Sequence, residues 1–245
     1  MARKRHLDKA PIREALIDIQ FEPPLAMETL HAFVDAVKAG FTDVTTVWEQ
    51  ALGFELMPGT AVRAHNSPSS AVGFRLSGER RVLIARTTSF TYSRLPPYED
   101  WEDLRKAAKE LWDRFLEVGK PETVTRTAVR YINVLPLPMK NEEFSVFLTA
   151  SPTVPAKLPQ GLASFLQRVV MVDSEAKRHA IVTQALEESR PVDGRIQVIL
   201  DIDAIRAKTM GSGEAGVWDS LDNLREFKND IFFEHITEPT AELFE

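Results

Sequence analysis

A chain of 245 residues, 44% hydrophobic and 27% charged, has an ordinary globular composition and is long enough to bury a core without metal or disulfide staples. It contains no cysteine, which excludes disulfide frameworks, thiolate metal ligands and cysteine nucleophiles together. Its net charge of −6 argues against a nonspecific nucleic-acid surface, which is usually basic. No run approaches the roughly 20 apolar residues needed to span a bilayer. The basic opening from Met1 to Asp8 is not followed by an apolar stretch before Pro11 and Arg13, so the expected setting is the cytoplasm, with no membrane partner.

The first element is a strand over Glu14–Glu22, where Ala15, Ile17, Ile19 and Phe21 alternate with polar residues until Pro23 and Pro24 stop it. A helix follows, with Leu30, Phe33, Val34 and Val37 at three- and four-residue spacing, closed by Gly40. Strands are expected near 44–57, 60–66, 71–77 and 80–93, the last with Thr87, Ser89, Thr91 and Ser93 on one polar face. A long helix spans about 99–118, N-capped by Asp100 and striped by Leu104, Ala108, Leu111, Phe115 and Val118.

The order then restarts. A strand over Thr125–Leu135 runs into Pro136, a short helix or apolar segment covers 141–149, and strands are expected near 165–173, 178–187 and 195–205. A final helix begins near Val217 and uses Leu221, Leu224, Phe227 and Ile231. At an offset of 113, Ala15, Ile19, Phe21 and Pro23 align with Ala128, Ile132, Val134 and Pro136; at 120, Leu104-Arg105 align with Leu224-Arg225. The expected fold is therefore α+β, with two strand–helix–strands–helix halves at 1–122 and 123–245. They would join in one mainly antiparallel, curved sheet with helices on one face, resembling the TATA-box-binding-protein-like saddle. A single α+β domain without internal symmetry is the alternative.

The segments Ala10-Pro-Ile-Arg-Glu-Ala-Leu-Ile-Asp-Ile19, Val129-Arg-Tyr-Ile-Asn133 and Phe232-Phe-Glu-His-Ile-Thr-Glu238, with the tract Phe90–Tyr98 and Trp101, resemble one sporadically distributed bacterial family of conserved hypothetical proteins. The resemblance reaches from residue 10 to residue 238. It implies a bacterial protein and brings no assigned activity and no catalytic residue.

Five features bear on chemistry. Gly211-Ser-Gly-Glu-Ala-Gly216 is a literal GxGxxG between a strand and a helix, but a dinucleotide site needs a further parallel strand and a ribose-binding acid beyond it. It reads as a connecting loop, and no cofactor is expected. Asp201 and Asp203 share one strand face, and Asp18 joins them if the strands lie close, giving oxygen ligands for a divalent cation; a solvated polar face is the plainer alternative. The five histidines form no HExxH or other close pair, which gives zinc no anchor. Arg86 and Arg130 interrupt apolar strand stretches; with Tyr131, Thr87 and Ser89 they would form a ligand-binding sheet surface, unless each arginine is tied to Asp18 or Asp201 in a structural ion pair. Asn133 is expected to satisfy a backbone group where the halves meet.

The leading expectation is a noncatalytic ligand-binding or protein-interaction module for an unidentified small molecule or protein, with a homodimer possible through a sheet edge or helix face. A metal-dependent phosphoester hydrolase using Asp18, Asp201 and Asp203 is the alternative. A nucleic-acid-binding saddle comes third.

Overall fold

A computed structural model of the chain describes residues 1–50, 52–55, 63–66, 69–138, 143–186, 194–213 and 215–245. Parts of the expected strands 44–57, 60–66 and 178–187, the first residues of the expected helix 141–149, and Glu214 of the glycine loop lie outside them. The strands are β1 (Ile12–Glu22), β2 (Asp43–Glu49), β3 (Leu52–Glu55), β4 (Arg63–Asn66), β5 (Ser70–Ser77), β6 (Arg81–Arg86), β7 (Ser89–Arg94), β8 (Thr123–Leu137), β9 (Phe165–Asp173), β10 (Arg178–Leu186) and β11 (Ile196–Gly211). The helices are α1 (Met27–Val37), α2 (Trp101–Gly119), α3 (Phe144–Phe147), α4 (Ala215–His235) and α5 (Glu238–Ala241).

Nine strands form one open, curved sheet in the order β2-β5-β6-β7-β1-β8-β11-β10-β9, while β3 and β4 pair separately. Every neighbouring pair is antiparallel. The protein is thus α+β, built on an antiparallel sheet. No helix among the described residues is long and apolar enough to cross a membrane.

Strand alternation assigns the two faces. On β1, Ala15, Ile17, Ile19 and Phe21 are buried against α1 and α2, and on β8 the matching residues are Val129, Tyr131, Asn133 and Leu135. The stripe residues Leu30, Phe33, Val34 and Val37 of α1 and Leu104, Ala108 and Phe115 of α2 fill the same core, joined by Trp112, while Leu111 and Val118 of the expected stripe are only partly buried against it. Asp100 caps α2 by accepting from the Asp103 N–H at 2.7 Å, so the long helix starts where its sequence places it. A second core under α4 gathers Leu200, Ile202, Val182, Ile231 and Phe232. Residues 2–9 run across to the C-terminal elements: the Ala2 N–H donates to Phe233 at 3.0 Å and the Lys9 N–H to Phe244 at 2.9 Å.

Two expectations change. The stretch 80–93 is a hairpin rather than one strand, turning at Thr87 and Thr88. Both turn residues have high β-propensity, so the reversal leaves no glycine or proline signal. Their carbonyls are instead satisfied from β1 and the residues just after it, Thr87 accepting from Leu25 and Thr88 from Phe21. The offset of 113 also sets helix-facing Ala15 and Ile19 against Ala128 and Ile132, which alternate to the other face from buried Val129 and Tyr131. Odd-numbered residues face the helices on both strands, so an odd offset matches opposite faces and those letters are not equivalent positions.

Gly73 on β5 is sterically required. A Cβ there would overlap the Ala85 carbonyl oxygen and come within 2.7 Å of Arg86 Cα, both backbone atoms of β6. Gly73→Ala is expected to lower stability in urea unfolding by about 1–3 kcal/mol, as overpacking does. Gly161→Ala, where nothing lies within 4 Å, serves as control and should stay within about 0.5 kcal/mol of the parent.

Candidate functional site

The sheet face opposite the helices carries the aspartates and arginines singled out in the sequence. Asp18 on β1 alternates away from buried Ile17 and Ile19, and Asp201 and Asp203 alternate away from Leu200 and Ile202 on β11. β8 lies between those strands, so the arginines of β8 stand between the carboxylates. Arg126 Nη1 donates to Asp18 Oδ1, and Arg126 Nη2 lies 3.7 Å from Asp203 Oδ2. Thr91 donates to the other Asp18 oxygen at 2.8 Å. Arg130 binds Asp201 through both ends of its fork, Nε at 2.9 Å and Nη2 at 2.6 Å.

Burial raises the Asp18 carboxyl above its ordinary range, against Arg126 and Thr91, which favour the carboxylate. Asp203 is raised for the same reason, with Arg126 and Arg130 opposing. The guanidinium of Arg130 is held more firmly protonated, chiefly by its hydrogen bonds to Asp201. The three carboxylates expected to hold a cation are therefore each engaged by a guanidinium group, Asp18 and Asp203 by Arg126 and Asp201 by Arg130. Among the described residues no cluster of three or more His, Asp or Glu side chains is placed to hold a metal ion.

The proposed ligand surface divides similarly. Arg86 is exposed at the end of β6, near enough for its charge to favour the Asp18 carboxylate, and Ser89 is buried on β7 opposite Gln20 and Arg86. Thr87 sits in the turn between them. Tyr131 follows Arg130 directly, so its side chain takes the helix-covered face, and the two do not meet. The glycine loop carries β11 into α4 through Ser212, which receives the Trp112 indole N–H at 3.3 Å, and no strand follows α4 among the described residues. Asn133 donates to the Leu200 carbonyl at 2.9 Å across the β8–β11 pair.

Tyr131 leads to a second site. Its hydroxyl lies 2.6 Å from that of Tyr98, and the Nζ of Lys228 lies 3.6 Å from the centre of its ring. These groups border a cleft of about 320 Å³ between residues 4–12, the Tyr98–Trp101 turn, β8 and α4, with apolar wall from Trp101, Phe232 and Phe233. Lys228 occupies a helical stripe position, four residues after buried Leu224 and three before buried Ile231, and is only 7% exposed. Its ammonium donates no hydrogen bond to any described residue, whereas the neighbouring cations are committed. Lys4 binds Glu226 at 2.7 Å and Asp230 at 2.9 Å, Arg5 binds Glu238 and Glu245, and Arg225 pairs with Glu226.

Burial, helped by Arg225 and Lys4, pushes the Lys228 amine down to about 7, so it titrates near neutrality. Burial pushes the Tyr98 phenol up to about 12 and Tyr131 well above its ordinary value, so both remain neutral hydroxyls. The sequence signal for Lys228 was its place in the stripe of Leu221, Leu224 and Ile231, which apolar counting assigns to Phe227 instead.

Removing Arg126 would strand Asp18 and Asp203. Arg126→Leu is expected to destabilise the fold by about 3 kcal/mol at pH 7, the lower end for a buried pair that loses one partner. Both carboxyls already sit above their unfolded values, so their charge opposes folding at neutral pH and that opposition fades as pH falls. Urea unfolding at successive pH values should show the deficit of the variant shrinking toward acid. No protein-family model matches the chain, and no curated protein matches it.

Proposed function

We propose that this is a noncatalytic binding module of a bacterial cytoplasm whose ligand is a small organic anion held in the cleft over Lys228. The observation that carries the reading is a buried lysine, without an acceptor among the described residues, facing a cleft with an apolar wall. A buried ammonium is normally paired, and an anionic ligand supplies the missing partner. Aromatic wall on one side and the neutral Tyr98–Tyr131 hydroxyl pair on the other favour a ligand with an apolar body and one anionic end. Commitment of Arg126 and Arg130 to aspartates weighs against both the phosphoester hydrolase and the nucleic-acid saddle.

We read the sheet as two related halves. Outward from β1 the order is β7, β6, β5, β2, and outward from β8 it is β11, β10, β9; each half therefore places its first strand centrally and its last strand beside it. This supports the saddle-like duplication, with the open face as the concave surface.

Calorimetry with benzoate and phenyl phosphate tests the ligand reading. Saturable binding is expected, and it should weaken as pH rises through about 7, because the ammonium form is the one that holds an anion. Lys228→Met should abolish binding while folding at least as stably as the parent, since burying the charge is unfavourable. Absence of binding to either anion, or undiminished binding by the variant, would overturn the proposal.

A second reading, self-association, is favoured by the edge strand β9. Leu166, Val170 and Val172 are 76%, 49% and 72% exposed on its open face. Antiparallel pairing of two β9 strands about Val169 would set Leu166 opposite Val172. Analytical ultracentrifugation should show a dimer that Val170→Lys converts to monomer, and a monomeric parent at high concentration would exclude it.

A further inference from the structure

We infer that Lys228 captures carbonyl compounds, so that the cleft takes a small organic acid bearing an aldehyde or ketone and holds it as a reversible imine on Nζ. This inference rests on the anion-binding reading of the same cleft and adds the chemical class of its ligand.

The geometry isolates one amine. Buried Leu224 and Ile231 on the same face of α4 fix the backbone around Lys228, and its Nζ lies 3.6 Å from the centre of the Tyr131 ring with no hydrogen bond to any described residue. A deprotonated Nζ there has a lone pair that no hydrogen bond from the described residues occupies, bordering a volume of about 320 Å³. Lys4, which lines the same cleft, is the opposite case: two carboxylates bind it and hold its amine above the ordinary lysine value. The neutral fraction also favours Lys228. A lysine with an ordinary pKa is less than about 0.1% neutral at pH 7, whereas a desolvated lysine titrating near 7 is a competent nucleophile.

The step balances without an oxidant or reductant. The neutral amine adds to the carbonyl carbon, forming the C–N bond while the carbonyl π pair moves to oxygen. A proton passes from nitrogen to that oxygen and gives a carbinolamine. Protonation of the hydroxyl releases water as the nitrogen lone pair forms the C=N bond of an iminium; loss of its N–H proton returns the proton used, so the net change is amine plus carbonyl to imine plus water. The hydroxyls of Tyr98 and Tyr131, 2.6 Å apart and neutral, line the same cleft and can relay the proton. The carboxylate of the ligand then faces the cationic form of the imine, keeping the covalent and ionic requirements in one molecule.

The test uses the whole protein with glyoxylate and, separately, phenylpyruvate in the presence of cyanoborohydride, followed by intact mass measurement and peptide mapping. One added group is expected, with the Lys228 peptide labelled at least roughly tenfold faster than any exposed lysine, and excess benzoate should suppress the labelling. Labelling spread over surface lysines without preference for Lys228 overturns the inference, and mapping the parent protein makes that result independent of whether any variant folds. Parallel calorimetry with benzoate separates the two readings. Benzoate binding without selective labelling leaves the anion site and removes the imine; loss of both removes both.

Discussion

The pairing of β1 with β8 is the constraint on which the rest of the structure depends. Ile17 opposite Val129 and Leu16 opposite Arg130 set which residues of both strands face the helices and which face away. Because side chains alternate, a slip of one residue would exchange the two sets, driving Asp18 and Arg126 into the apolar core. β8 also borders β11, so its register fixes Asp201 and Asp203 relative to Arg130 and Arg126. One strand thus supplies the guanidinium groups of the open face and, one residue out of phase, the tyrosine and asparagine of the cleft wall.

The two charged regions obey opposite logic. On the open face every singled-out aspartate has an arginine across a strand boundary, and burial is tolerated because charge is matched by charge. Such pairs contribute less to net stability than their Coulomb attraction suggests, since desolvation offsets it. Their geometric demands make them well suited to fixing register: Arg126 contacts Asp18 and Asp203 from the intervening strand, so three strands must agree on alignment. At Lys228 the same desolvation acts with no counter-charge in hydrogen-bonding reach among the described residues, and the amine responds by losing affinity for its proton. A charge left unmatched in a folded interior is more informative about ligands than one already paired.

Strong local patterns were legible. The first strand, the stripe of α1, the Asp100 cap and the limits of β9 all follow from period and capping, because those signals act over a few residues. The aspartate–arginine pairing was foreseeable as chemistry, but its partners depended on β8 lying between β1 and β11, a fact of long-range topology. Tyr131 was placed beside Arg130 by sequence adjacency, although adjacency on a strand sends side chains to opposite faces. The Thr87–Thr88 turn stayed hidden because its carbonyls are satisfied by distant residues. Lys228 was masked differently: in a helical stripe, a long aliphatic stem can take a core position while its charged end is read as surface.

The anchoring of residues 2–9 to the far end of the sequence has a consequence for synthesis. The Lys9 N–H bonds to Phe244, Arg5 reaches Glu238 and Glu245, and Lys4 reaches Glu226 and Asp230, contacts separated by more than 200 positions. One wall of the cleft is therefore made more than 200 residues before the segments that complete it, and waits for them to emerge. Helices α1 and α2 can pack on β1 and β7 well before that. A nascent chain would thus present a partly folded sheet with the cleft open on one side until α4 and the residues after it have joined.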